Sequence, residues 1–343
     1  ELWVGRRFTL EEAQARYQIT TRKISELEEF LAKDKGALVI RDQDTLVDSL
    51  IKKSAKDDEL ANFTSVHRMI KDDYEIKEMQ RAVDATHAGF SDIIRAFPAA
   101  VQTPRGERVV EAAFYGRARI EGNDLGYNTI AASGAHACIL HWIRNDGEVR
   151  NGDLILIDAG VEVESHYTAD ITRTLPVNGK FNEAQRKIYE LVLAAQSAGI
   201  AAVKPGAKYR DINNACMKVL AEGLHDLGVL TISAEESLKP ENGLHRRWSV
   251  HASGHMLGLD VHDCAKARSD QYLDGILQVG QVLTVEPGLY IQPDDQLFPE
   301  EFRGIGVRIE DDLLVTANGS ENLSAKLPRT VSEIENWIAE LQK

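Results

Sequence analysis

Apolar side chains recur at helical spacing through residues 64–90 (TSVHRMIKDDYEIKEMQRAVDATHAGF), with Ile76, Met79, Ala82 and Ala85 on one stripe. The pattern predicts a single long amphipathic helix there. Residues 183–203 and 209–227 carry the same period and are closed by Gly or Pro signals, which predicts two further helices. Elsewhere the period changes. β-Branched residues cluster at 154–157, 171–176, 282–285 and 305–315, again closed by Gly or Pro, so these segments are expected as strands. The fold class that follows is α+β. Ahead of the long helix only short charged elements are legible, with helical patterns at 9–16 and 22–33 and an apolar run at 36–40. That is too little for a complete core, and a boundary is placed at 73/74, separating a small leading segment (1–73) from the main domain (74–343). A chain of 343 residues also exceeds the usual size of one hydrophobic core. No short repeat, low-complexity tract or glycine-rich phosphate loop interrupts the pattern.

Composition narrows the function classes. Hydrophobic residues at 43% against 27% charged describe an ordinary globular chain. The formal net charge of -14 repels phosphate backbones and anionic membranes, which argues against nucleic acid and membrane partners. Cys138, Cys216 and Cys264 are odd in number and far apart, suggesting neither a disulfide framework nor a thiolate zinc site and fitting a reducing, cytoplasmic setting. The longest apolar stretch, 191–203, is broken by Gln196, Ser197 and Gly199 and falls short of the roughly 20 residues that span a bilayer. The chain begins with Glu1 and not Met, which implies a native start upstream and leaves room for a targeting segment.

Five potential hard-metal ligands sit in or beside the expected strands: Asp158 in LILIDAG, Asp170 in TADITRT, His255 in SGHMLG, Glu286 in LTVEPG and Glu310 in GVRIEDD. A carboxylate against a buried apolar strand costs several kcal/mol unless it is paired, hydrogen-bonded or bound to a cation. Any one of them alone reads as a strand-end residue bonding nearby amides; the five together suggest two divalent ions sharing oxygens. Oxygen-rich ligation with one imidazole favours manganese over structural zinc, with cobalt or zinc as substitutes. Period-two alternation puts Arg308 on the same strand face as Glu310, where it orients carboxylates or forms a plain ion pair. His251, His255 and His262 crowd into HASGHMLGLDVHDC, whose glycines argue against a helical zinc motif, while His141 in CILHW approaches the same pocket or sits in the core or at the surface.

The ordered segments IAASGAHACILHW, LILIDAGVEVESHYTADITRTLPVNGKF, SGHMLGLDVHD, QVLTVEPGLYI and FRGIGVRIEDDLLVT resemble the signature blocks of the metallopeptidase family with the pita-bread (creatinase/aminopeptidase-like) fold. That family includes aminopeptidase P, prolidase and methionine aminopeptidase. The resemblance covers about residues 74–343 and implies a truncated remnant of the amino-terminal creatinase-like domain in 1–73. Carried over position by position, it makes Asp158 a ligand of the first metal, Asp170 and Glu310 bridging ligands, and His255 and Glu286 ligands of the second. It assigns His141, His251, His262 and Arg308 to the substrate pocket. GLDVHD and GVRIEDD followed by ENLS are most similar to aminopeptidase P (Xaa-Pro aminopeptidase). The Asp158–Asp170 interval is one residue longer than the common bacterial pattern, so a bulge is expected through His166 and Tyr167.

The implied activity is a dinuclear, metal-dependent Xaa-Pro aminopeptidase. It removes the residue in front of a proline, using a water shared by two ions, with manganese the expected metal. Glu286 is the expected general base, His262 the oxyanion donor, and His251 and His141 shape the proline side. The resemblance also implies a homo-oligomer, dimer or tetramer. Three alternatives stay open: a prolidase cleaving Xaa-Pro dipeptides, a metal-free creatinase-like enzyme, and a non-catalytic binding protein on the same scaffold.

Overall fold

The computed structural model describes residues 2–34 and 36–343; Glu1 and Lys35 of the expected 1–73 segment lie outside the described residues. The chain divides into two compact units, Glu1–Thr64 and Ser65–Lys343.

In the first unit Thr9 caps α1 (Leu10–Tyr17), accepting from the Glu12 amide at 3.2 Å. A 3-10 turn at Ile24–Glu26 leads into α2 (Leu27–Lys33), and α3 (Thr45–Leu50) follows. None of these three helices has a buried residue, in keeping with the weak apolar pattern. The run 36–40 forms no strand. Arg41 ties the unit together, its Nε donating to Asp57 at 2.8 Å and Nη1 to the Ile51 carbonyl at 2.9 Å.

The single helix expected over 64–90 is two. Helix α4 (Ala55–Met69) stops because the Lys71 amide donates to the Gly280 carbonyl at 2.8 Å and Ile70 bridges Gln281, pulling the chain into an extended path. Asp72 then caps α5 (Asp73–Val101) in a capping box with Glu75. Its buried stripe includes Met79, Val83, Phe90, Ile94 and Phe97, at helical spacing. Pro98 lies inside α5 and has no N–H to donate; the Ile94 carbonyl instead accepts from Gln342 Nε2 at 3.4 Å.

Helix α6 (Gly106–Glu121) packs on α5, Phe90 meeting Phe114 edge to face at 6.1 Å. Short β1 (Asp124–Leu125) pairs with β4 (Val161–Glu162). An antiparallel sheet of order β2-β3-β5 joins Ile130–Ser133, Leu154–Ala159 and Ile171–Pro176, all buried. β3 is legible from its apolar run Leu154–Ile157, as expected of a strand buried on both faces, and β5 from its β-branched Ile171, Thr172 and Thr174. Between β4 and β5 the longer interval closes in a turn, Val163 N bonding the Tyr167 carbonyl at 3.0 Å with His166 at φ 68°. Helix α7 (Glu183–Ala202) lies against the strands of the second half, α8 (Tyr209–Asp226) packs on α7, and α9 (Ala234–Leu238) follows.

The second half supplies β6 (Val282–Val285), β7 (Gly288–Tyr290), β8 (Gly306–Arg308), β9 (Asp311–Thr316), β10 (Gly319–Asn322) and the final helix α10 (Val331–Leu341). The strand expected over 305–315 is broken. β8 pairs with β7 and β9 with β6, and between them the Glu310 amide crosses to the Thr172 carbonyl of β5 at 3.1 Å. That crossing seams the two halves of the unit together and puts Glu310 over β5.

Candidate functional site

Asp158 lies in β3 directly opposite Thr172 of β5, and Asp170 immediately precedes β5. Glu286 follows β6, and Glu310 fills the break between β8 and β9. His255 is drawn to the same place because the HASGH segment lies flat on β6. A Cβ on Gly254 would sit 2.2 Å from the Thr284 carbonyl, so only glycine permits the approach. The His255 amide then donates to Thr284 Oγ1 at 3.1 Å.

All nine residues expected at the site line one cavity of about 550 Å³: His141, Asp158, Asp170, His251, His255, His262, Glu286, Arg308 and Glu310. Ligand atoms of Asp170, His255 and Glu310 lie within 4.8 Å of one another. His255 Nε2 is 3.2 Å from Asp170 and 3.6 Å from Glu286. Its Nδ1 donates to the Met256 carbonyl at 3.1 Å, which orients the ring and turns Nε2 toward the carboxylates.

The acidic groups are held against their electrostatic preference. Burial, then the charge of Asp158, pushes the Asp170 carboxyl up. Burial and the charges of Asp170, Glu286 and Asp158 raise Glu310 well above the carboxylate range. Burial brings Glu286 to about 7 against the opposing pull of His255 and Arg308. For His255 burial works downward, but the hydrogen bond to Asp170 and the charge of Glu286 override it and bring the imidazole to about 9. Glu310 Oε1 is buried without a hydrogen-bond partner while Oε2 accepts from Thr172 Oγ1 at 2.6 Å. Crowded buried carboxylates, one with an orphaned oxygen, are the donor set that divalent cations satisfy, and the residues present fit such ions.

Arg308 bears on a different carboxylate from the one strand alternation suggested. Its Nη2 donates to Asp158 at 2.6 Å, Nε to Thr172 at 3.2 Å and Nη1 to the Tyr290 hydroxyl at 3.0 Å. Tyr290 in turn donates to His251 Nε2 at 2.7 Å, whose Nδ1 donates to the Ala252 carbonyl at 2.8 Å. Burial and the Arg308 charge lower His251 to about 4, keeping this imidazole neutral. Burial, then the neighbouring His255, also lowers His262, whose ring meets His255 edge-on at 4.4 Å.

Sequence reasoning missed Tyr127, Tyr290 and Thr172. Tyr127 donates to Asp158 at 2.7 Å and also contacts Asp170, holding the two aspartates in one arrangement. A search for ligand types passes over tyrosine and threonine; the signal was that Tyr290 and Thr172 lie inside segments already singled out for their acids.

A model of metallopeptidase family M24 matches residues 77–317. The chain is 53% identical over 346 residues to Xaa-Pro aminopeptidase 1 of Streptomyces coelicolor, covering 100% of this chain and 70% of the relative. A variant of Escherichia coli aminopeptidase P, solved in complex with substrate, superposes with a TM-score of 0.85 at 32% identity, covering 99% of this chain and 80% of that one. Pseudomonas aeruginosa aminopeptidase PepP gives 0.87 at 32% identity, with 99% and 80% covered. Fold, ordered sequence blocks and the cluster of acids around His255 agree, and the chain belongs to metallopeptidase family M24, with its pita-bread architecture.

Proposed function

We propose that this chain is an Xaa-Pro aminopeptidase that removes the N-terminal residue from peptides with proline in second position. The observation that carries the reading is the convergence of Asp158, Asp170, His255, Glu286 and Glu310 on one cavity, with an orphaned Glu310 oxygen among them. These five residues would hold two divalent ions. Asp158 would serve the first, Asp170 and Glu310 both, and His255 and Glu286 the second; the oxygen-rich set favours manganese. When bound, the ions supply Lewis acidity at the scissile carbonyl and activation of the attacking water.

The chain's own groups do the rest. Glu286, bordering the cavity, takes the proton of the attacking water at a carboxylate oxygen and returns it to the leaving proline nitrogen. His262 donates from its imidazole to the oxyanion. Neutral His251, fixed between Tyr290 and Ala252, and His141 form the proline side of the cavity, and Arg308 holds Asp158 in place. Three buried free thiols support a reducing, cytoplasmic setting, and no helix among the described residues is long and apolar enough to cross a membrane. A dimer or tetramer is part of the same reading.

The test is hydrolysis of Xaa-Pro and Xaa-Pro-Yaa peptides by chelated protein, with and without added manganese. Manganese-dependent release of the first residue from the tripeptide supports the proposal. Cleavage of the dipeptide alone indicates a prolidase, and no cleavage of either removes the enzymatic reading.

A further inference from the structure

Leu140, His141 and Ile143 form one wall of the cavity, yet they lie on a segment with no regular structure beyond the 3-10 turn Gly134–Cys138. Such a wall needs an external anchor, because an irregular backbone does not hold side chains in register by itself. The anchor is a single carboxylate. Glu107, in the first turn of α6 and fully buried, accepts from the Ser133 amide and from His136 Nδ1 on Oε1, both at 2.8 Å. Its Oε2 accepts from Trp142 Nε1 at 2.8 Å and from the Gly147 amide at 2.7 Å. Four donors from both ends and the middle of 133–147 thus converge on one side chain outside the cavity.

The neighbouring packing is built around the same carboxylate. The His136 ring stacks on Trp142 at 3.9 Å and 25°. A Cβ on Gly147 would meet His136 Cε1 at 2.5 Å and Glu107 Oε2 at 2.8 Å, so the loop closes only with glycine there. Asn145, fully buried at φ 46°, ties the return strand, accepting from the Ala131 amide and donating to the Thr129 carbonyl, both at 2.9 Å. Trp142 is flanked in sequence by His141 and Ile143, so fixing its indole on Glu107 fixes the two cavity-lining side chains on either side of it.

We propose that Glu107 is a positioning residue for substrate binding, acting through Trp142 and the 133–147 loop to set the His141 wall of the cavity. The inference rests on the reading of His141 as a substrate contact. Both oxygens of Glu107 carry two N–H donors, so Glu107→Gln in either amide orientation sets an NH2 against two donors while keeping the volume.

The experiment is a double-mutant cycle of Glu107→Gln and His141→Ala on Xaa-Pro-Yaa cleavage, with bound metal measured on each preparation. Glu107→Gln is expected to keep its metal, raise KM more than it lowers kcat, and lose roughly 10- to 100-fold in kcat/KM, the size of mispairing buried donors. In the His141→Ala background the further loss should shrink to within about twofold, because neighbours acting as one unit are not additive. Equal loss in both backgrounds, or loss of metal, overturns the proposal. Should Glu107→Gln fail to fold, Trp142→Phe removes one donor and keeps an aromatic ring; it must raise KM in the same direction, again only when His141 is present. An inactive parent enzyme would instead count against the peptidase reading. Hydrogen exchange then decides the anchor: acceleration confined to 133–147 in Glu107→Gln supports it, and unchanged exchange there overturns it.

Discussion

Replacing Thr172 by valine tests how the seam between β5 and the β8–β9 break sets up the metal site. Thr172 is fully buried; its hydroxyl donates to Glu310 at 2.6 Å and accepts from Arg308 Nε at 3.2 Å. Valine keeps the β-branched shape that suits the strand, so the change is confined to one oxygen. Hydrogen bonds to charged groups contribute about 1.5–3 kcal/mol each, and leaving buried partners unsatisfied carries the desolvation cost as well. The two bonds share one oxygen and are not additive, so a stability loss of about 2–4 kcal/mol is expected. Glu310 also loses the group that orients its carboxylate. Loss of such a supporting bond lowers metal affinity by about 10- to 100-fold. Calorimetric titration of manganese into chelated Thr172→Val and Thr172→Ser proteins, together with kcat against free manganese, reads both effects. Serine restores the hydroxyl and should return affinity to near the parent value. Parent-like metal affinity in the valine variant, or equal loss in valine and serine, would refute the argument.

Chelation should abolish peptidase activity and manganese restore it; full activity in metal-free protein would sink the two-ion reading. Alanine at Asp170 or Glu310 should lose bound metal along with turnover, since each carboxylate serves both ions, and two retained ions per chain by elemental analysis would count against the bridging roles. His255→Ala should lower metal occupancy, whereas His262→Ala should keep it and lose turnover by about 10² to 10³; parent-rate cleavage by a folded, metal-bound His262→Ala protein removes that histidine from the mechanism. Away from the site, Gly89→Ala sets a Cβ 2.6 Å from the Phe114 ring. The overpacking, about 1–3 kcal/mol, should outweigh the roughly 1 kcal/mol gained in helix propensity and lower Tm with kcat unchanged. A raised Tm would contradict the close contact.

The parts of this protein written locally were legible, and those written across the fold were not. Strand β3 opens on the unbroken apolar run Leu154–Ile157, and β5 and β6 show as clusters of β-branched residues. The helices α7 and α8 kept their expected extents to within a residue or so because their caps and breakers lie in their own sequence. The long helix over 64–90 divided at Ile70 because the decisive partners, Gly280 and Gln281, are remote in sequence. The strand over 305–315 broke because Glu310 exchanges one sheet for another, a change of partner that no period reveals. Ligand candidates were found as acids set against apolar strands. Tyr127, Tyr290 and Thr172 escaped because their importance lies in whom they touch. Arg308 was found, but its principal partner, Asp158, is set by tertiary packing and not by strand alternation.

The seam that carries Glu310 over β5 also fixes the order in which this molecule can become competent. Helical pairs such as α5 with α6 and α7 with α8 are neighbours in sequence and close over short loops, so they assemble early. The contacts that make the cavity span far more chain: Thr172 and Glu310 are separated by 138 positions, and Asp158 and Arg308 by 150. Closing such loops costs entropy before any contact repays it. A growing chain thus holds most of its helices and its first sheet before Glu310 is in place over β5. The cavity is closed only when the segment from Gly306 to Thr316, near the end of the chain, lies against β5, so a chain cut short of it keeps many of the elements and none of the complete site.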